Sequence, residues 1–200
     1  MRIFLAGASG VLGLRLVPLL VAKGHVVAGM TRSPGKVERL RALGAEPVVC
    51  DVYDAAALRE AVTAFRPALV MHQLTDLPDD EASLANAGDA NARMRREGTG
   101  NLLAAAGGAG AERLLAQSVA WELTGAGGAA REQLERAVLG FGASSCATAG
   151  STAPGRTTRR RPIPHASRST RPLGGRSALL DAPSGIVEVV EVVEAVEADV

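Results

Sequence analysis

The run Ile3-Phe4-Leu5-Ala6-Gly7-Ala8-Ser9-Gly10-Val11-Leu12-Gly13 decides the fold. Four apolar residues suit a strand buried on both faces, and a glycine-rich turn follows. From Val11 to Lys23 the leucines Leu12, Leu16, Leu19 and Leu20 recur at helical spacing. In such a strand–turn–helix unit the three glycines have separate tasks. Gly7 permits the tight turn, Gly10 lets a phosphate approach the backbone, and Gly13 lets helix and strand pack closely. The helix start adds free N–H groups and partial positive charge. The loop Gly7, Ala8, Ser9, Gly10, Val11, Leu12, Gly13 is therefore expected to hold the pyrophosphate of NAD(P). A purely structural turn is the plainer alternative, but a position between a strand and a helix favours binding.

Outward from this unit, apolar runs and helix-like segments alternate to about residue 140. Strands are expected at Ile3–Ala6, His25–Met30, Glu46–Cys50, Ala68–Met71 and Arg113–Gln117. Further helices are expected at Lys36–Leu43, Ala55–Phe65, Asn91–Ala106 and Arg131–Leu139. Strands apolar throughout, each followed by a helix, indicate an α/β fold: a doubly wound parallel sheet of the Rossmann type. The second strand ends Met30-Thr31-Arg32-Ser33. A carboxylate there would bind a ribose 2′-hydroxyl, whereas Arg accommodates a 2′-phosphate, so Arg32 favours NADP. A solvated surface arginine is the alternative.

Composition narrows the setting. The chain has 200 residues, a formal net charge of +1 and five aromatic side chains in all: one Trp, one Tyr and three Phe. Its bulk charge points neither to a nucleic-acid binder nor to an enzyme of acidic substrates. Cys50 and Cys146 make no disulfide framework, and no metal-type spacing is present. Met1 to Leu5 resembles the start of a signal peptide, but the glycine loop interrupts it at once, and no apolar stretch reaches membrane-spanning length. A soluble, cytoplasmic protein with no membrane or nucleic-acid partner is expected.

The ordered set of strand endings resembles the extended or atypical short-chain dehydrogenase/reductase superfamily, the NAD-dependent epimerase/dehydratase group, over about residues 1–140. The glycine spacing is similar to its GxxGxxG loop. Cys50-Asp51-Val52 resembles the third-strand ending, where Asp51 and Val52 would lie beside the adenine. Val70-Met71-His72-Gln73 resembles the fourth-strand ending, so His72 and Gln73 would pass the nicotinamide-side ribose. Asn91 with Glu97-Gly98-Thr99-Gly100-Asn101-Leu102-Leu103 is similar to the long-helix pattern. Gln117-Ser118-Val119-Ala120 matches the strand ending that carries the active-site hydroxyl, which makes Ser118 the catalytic candidate. The resemblance implies an NAD(P)-dependent oxidoreductase or epimerase acting on a small hydroxyl, carbonyl or nucleotide-sugar substrate. Helices of that family often pair, so a homodimer is compatible.

One part of the family pattern is missing. Its acid/base is a Tyr with a Lys four residues later, because a phenol titrating near ~10 works at neutral pH only beside a fixed positive charge. The sole tyrosine is Tyr53 and the lysines are Lys23 and Lys36, so no such pair exists. His72 is a weak substitute, since a His at a strand end more often packs or bonds backbone. Cys146 lacks any scaffold that would activate it. An NADP-binding regulator without turnover is therefore the alternative to an enzyme.

The domain is expected to occupy 1–140, with 141–200 a degenerate substrate-side region and an acidic tail. Between 143 and 177 there are seven arginines and no acid, among Ser, Thr, Pro and Gly. Such a segment reads as irregular and disordered. It could serve as a basic nucleic-acid arm, but interleaved aromatics for base stacking are absent. Shifted by one reading frame, Ser144 to Thr158 permits the family's Leu-Arg-x-x-x-x-Tyr-Gly-Pro-Gly substrate strand. Two compensating frame changes flanking 143–177 would account for it. The valines of Ile186–Val200 permit either helix or strand.

Overall fold

The computed structural model of the chain describes residues 1–77, 87–119, 123–148 and 185–188, with side chains up to Phe141. Strand β1 (Arg2–Ala6) leads through the glycine turn into α1 (Val11–Ala22). Then follow β2 (Val26–Thr31), a 3-10 turn at Pro34–Lys36, α2 (Val37–Ala42), β3 (Glu46–Val49), α3 (Ala55–Phe65) and β4 (Leu69–His72). The next helical stretch has three consecutive parts: α4 (Gly88–Arg93), a π turn (Met94–Gly98) and α5 (Thr99–Gly108). Strand β5 (Arg113–Ser118), α6 (Gly125–Thr148) and β6 (Gly185–Glu188) complete the described elements.

All strand pairs are parallel, in the order β3-β2-β1-β4-β5-β6. Ile3 to Ala6, Leu69 to Met71 and Leu114 are fully buried, as an internal sheet with both faces covered requires. One face packs Ile3, Leu5, Leu69 and Met71 against Leu16, Val17 and Leu20 of α1 and Leu40 of α2. The other packs Phe4, Val70 and Leu114 against Leu58 and Val62 of α3, Leu102 of α5, and Leu134 and Val138 of α6. Each large leucine taken from water contributes about 2 kcal/mol, which explains why one apolar stripe per helix suffices.

The expected doubly wound parallel sheet is thus the fold, with one strand more than the five read from the sequence. Residues 185–188 of the C-terminal part pair with β5 from Leu115 to Ser118. Helix α6 is also longer than Arg131–Leu139 and reaches into the arginine-rich segment as far as Thr148. The rest of that segment, Cys146's side chain included, lies outside the described residues. Among the described residues no helix is long and apolar enough to cross a membrane, and no three His, Cys, Asp or Glu gather as for a metal ion.

Candidate cofactor cleft

In the order 3-2-1-4 the chain leaves β1 toward β2 and returns through β4 on the other side, so loops diverge above β1. Ligands of open α/β sheets bind at such a switch point. A cleft of about 560 Å³ opens there, lined by Gly7, Ser9, Gly10, Val11 and Leu12 of the glycine turn. Arg32, Ser33 and Lys36 after β2, Asp51 and Val52 after β3, and Gln73 and Gln117 at the ends of β4 and β5 also line it.

The three glycines differ in the way the sequence suggests. Gly7 holds φ +89°, and a Cβ there would lie 2.6 Å from the Gln73 carbonyl oxygen. At Gly13 a Cβ would lie 2.6 Å from the Ala8 backbone and closer still to the Gly7 carbonyl, so helix and turn are in contact through it. Gly10 is exposed, with nothing nearer than 3.4 Å. It starts α1 without a side-chain cap, and no acidic residue occupies the first turn. That leaves the helix start free for an anion. Ala8 buries its methyl in the core and its N–H bonds the Met30 carbonyl, so it supports the loop from behind. Ser9 Oγ lies 2.8 Å from Thr31 Oγ1, which also accepts the Ser33 N–H and so joins the turn to the end of β2.

Arg32 is at the cleft mouth, its side chain 64% exposed, and its Nη2 meets Asp76 Oδ1 at 3.1 Å. Sequence reading found no acid here because Asp76 is 44 residues away, beyond β4. It also passed over Lys36, which the 3-10 turn brings to the same wall. Asp51 is held by accepting the Tyr53 N–H, and Asn101 of α5 donates to the Val52 carbonyl, which fixes the loop after β3.

His72 points the other way. Its ring is buried, Nδ1 accepts the Leu74 N–H at 3.2 Å, and Nε2 stands 2.9 Å from Thr99 Oγ1. Since Nδ1 accepts, Nε2 carries the proton and donates. Burial pushes its pKa down to about 4, so the ring stays neutral. His72 is absent from the cleft lining, and its ring joins β4 to α5. The sign of its pH effect follows. The unfolded chain takes up a proton below pH 6.5 and the folded chain does not, so stability falls between pH 6.5 and about 4. The slope is about 1.4 kcal/mol per pH unit. A thermal melt series from pH 7 to 5 should show this slope in the wild type and a shallower one in His72→Gln; equal slopes would remove it.

Ser118 stands at the end of β5. Its Oγ donates to Glu135 Oε1 of α6 at 2.6 Å, it is buried, and the neighbouring Gln117 is what lines the cleft. In this arrangement the Ser118 hydroxyl proton is engaged by the carboxylate. Arg131, one turn earlier on α6, approaches the same carboxylate at 3.9 Å. Tyr53 does not replace the missing acid. Its hydroxyl is buried without a hydrogen-bond partner, burial pushes its pKa up, and Arg93 covers its ring at 4.0 Å. The ends of β3 and β5 stand four strand spacings apart, about 19 Å. Gln73, by contrast, places a buried side-chain amide at the cleft with neither polar atom bonded. Such a group costs about 1–3 kcal/mol while unpaired.

The chain matches the NAD(P)H-binding family over residues 7–151. It is 42% identical over 121 residues to a 3-diazoavenalumate denitrifying reductase of a Streptomyces species, covering 60% of this chain and 38% of that protein. The chain thus spans well under half the length of that relative. UDP-glucose 4-epimerase of Thermotoga maritima, solved with UDP-glucose, superposes with a TM-score of 0.61 at 20% identity, covering 73% of this chain and 52% of that one. The enzyme of the same name from Thermus thermophilus, in complex with NAD, gives 0.61 at 21% identity over the same shares. These two share the fold. The chain belongs to the NAD(P)H-binding family.

Proposed function

We propose that this chain is an NADP-dependent oxidoreductase of the short-chain dehydrogenase type, acting on a small substrate over the ends of β4 and β5. The observation that carries it is the cleft at the switch point, with an uncapped helix start behind Gly10 and Arg32 and Lys36 at one end. Gly7 to Gly13 would take the pyrophosphate and Asp51 with Val52 the adenine side. Gln73 would face the nicotinamide side, where a ligand can satisfy its amide. The cofactor would supply a hydride; a proton, where the reaction needs one, would come from a side chain or from water.

Here the substrate end is informative. Reducing a carbonyl, or oxidising and re-reducing a sugar hydroxyl, leaves charge on oxygen that an acid must neutralise. This chain lacks the Tyr–Lys pair, and the Ser118 hydroxyl donates its hydrogen bond to Glu135. A hydride acceptor that gains no negative oxygen needs no such acid: an aryl diazonium cation that takes up the hydride and releases dinitrogen leaves a neutral arene, and diazo chemistry is the class named for the Streptomyces relative. We therefore place a diazo substrate ahead of carbonyls and nucleotide sugars. The same missing acid favours, as second reading, an NADP-binding regulator without turnover. The division at residue 140 and the frame change across 143–177 belong to this proposal, and the coding DNA near codons 143 and 177 tests them.

NADPH mixed with the protein and, separately, an aryl diazonium salt, small ketones and UDP-glucose tests the reading. Reduced-nicotinamide absorbance should fall with the diazonium above its uncatalysed rate, and little with the others. Cofactor binding without turnover of any substrate would favour the regulator. Absence of NADPH and NADH binding would overturn both.

A further inference from the structure

Asp76 does more than decorate the cleft mouth. In the sheet order β1 lies between β2 and β4, so the bond from Arg32, after β2, to Asp76, after β4, passes across the cleft above the glycine turn. Thr75 and Leu77, on either side of Asp76, line that cleft. The carboxylate is placed there by construction: the Asp76 N–H donates to Oδ1 of Asn91, and Asn91 is itself buried on α4. Its side chain is 23% exposed against 64% for Arg32, so the acid is the fixed partner and the arginine the movable one.

We propose that Asp76 sets the choice between NADP and NAD by competing with the cofactor's 2′-phosphate for Arg32. This rests on the reading of Arg32 as the phosphate's partner. One guanidinium then serves two acceptors. A phosphate dianion takes the guanidinium fork through two parallel bonds and wins against a single carboxylate contact, but only after that contact is broken. NAD asks nothing of Arg32, and the ion pair persists beside it. Asp76 therefore lowers affinity for NADP alone, by the worth of an exposed ion pair. No residue at the end of β2 carries this acidic function; it comes from the opposite wall.

Titrating NADPH and NADH into wild type, Asp76→Asn, Arg32→Gln and the double variant tests it. Asp76→Asn should tighten NADPH by about two- to fivefold and leave NADH unchanged. In the Arg32→Gln background the same change should do nothing, and the wild-type difference should shrink at high salt. If Arg32→Gln weakens NADPH selectively while Asp76→Asn changes both cofactors alike, or neither, or weakens NADPH, the competition is wrong and the phosphate reading stands. If Arg32→Gln leaves the NADPH/NADH ratio untouched, both fall together.

Discussion

Gly10→Val should lose NADP(H) affinity by about a hundredfold or more, the worth of two charge-assisted hydrogen bonds to phosphate. Its melting temperature should stay within a few degrees of wild type. The two halves of this expectation come from one place. Gly10 has φ −80° and ψ 176°, a conformation that valine accepts readily, and its Cβ would make only ordinary contact with the Gly7 carbonyl at 3.4 Å. The fold has no objection; the cleft does, because the side chain would occupy the approach to the start of α1. Gly13→Ala is the opposite case. Its methyl would meet backbone atoms of Gly7 and Ala8 that no rotamer change can move, at a cost of about 2–3 kcal/mol. It should lower stability and binding together. Calorimetric titration alongside thermal melts separates the two. A folded Gly10→Val protein with undiminished NADPH affinity would take the cofactor out of this loop altogether.

Much of the sheet is legible from residue order because its strands are buried on both faces. An unbroken run such as Ile3 to Ala6 has no solvent side to confuse the pattern, and the glycine turn fixes where the strand ends. The helices were less clear for identifiable reasons. Gly125, Gly127 and Gly128 argue against a helix by propensity. Yet α6 begins there, since Ala130, Leu134 and Val138, four residues apart, bury one stripe beneath it. The π turn at Met94–Gly98 was invisible because it depends on a tertiary fit: a Cβ on Gly98 would lie 2.7 Å from the Met94 sulfur and 3.2 Å from Val52. The valine-rich tail from Ile186 permits helix or strand, and at Gly185–Glu188 the open edge of β5 decides for strand.

The site divides along the same line. Residues of the glycine turn and strand ends are readable because one local segment sets each of them. Polar pairs beside the cleft join distant segments. Ser118 meets Glu135 across a strand–helix connection, and Arg32 meets Asp76 across two crossovers. Nothing in local spacing signals either. His72 shows the converse: its sequence position suggested the cleft, while Thr99 and the Leu74 N–H turn its ring into the interior.

Replacing Arg32 with Asp should move the NADPH/NADH affinity ratio toward NADH by tenfold or more, the size of a lost charge-assisted contact plus an introduced repulsion. In the wild type the Arg32 guanidinium, 64% exposed, is held among the described residues by Asp76 at 3.1 Å and can turn to a phosphate. In Arg32→Asp the cleft mouth would present two carboxylates, Asp76 from one side and the new one from the other, to a 2′-phosphate, leaving Lys36 as the described cation beside it. A ribose 2′-hydroxyl, in contrast, can donate to either carboxylate, so NADH should bind as well as before or better. Stability should change little, since an exposed ion pair contributes at most about 1 kcal/mol. Fluorescence titration with both reduced cofactors gives the ratio directly, and raising the salt concentration should compress it because the contact faces water. A ratio that does not move would mean that Arg32 serves only its surface pair with Asp76, and that the preference, if there is one, resides in Lys36 or Ser33.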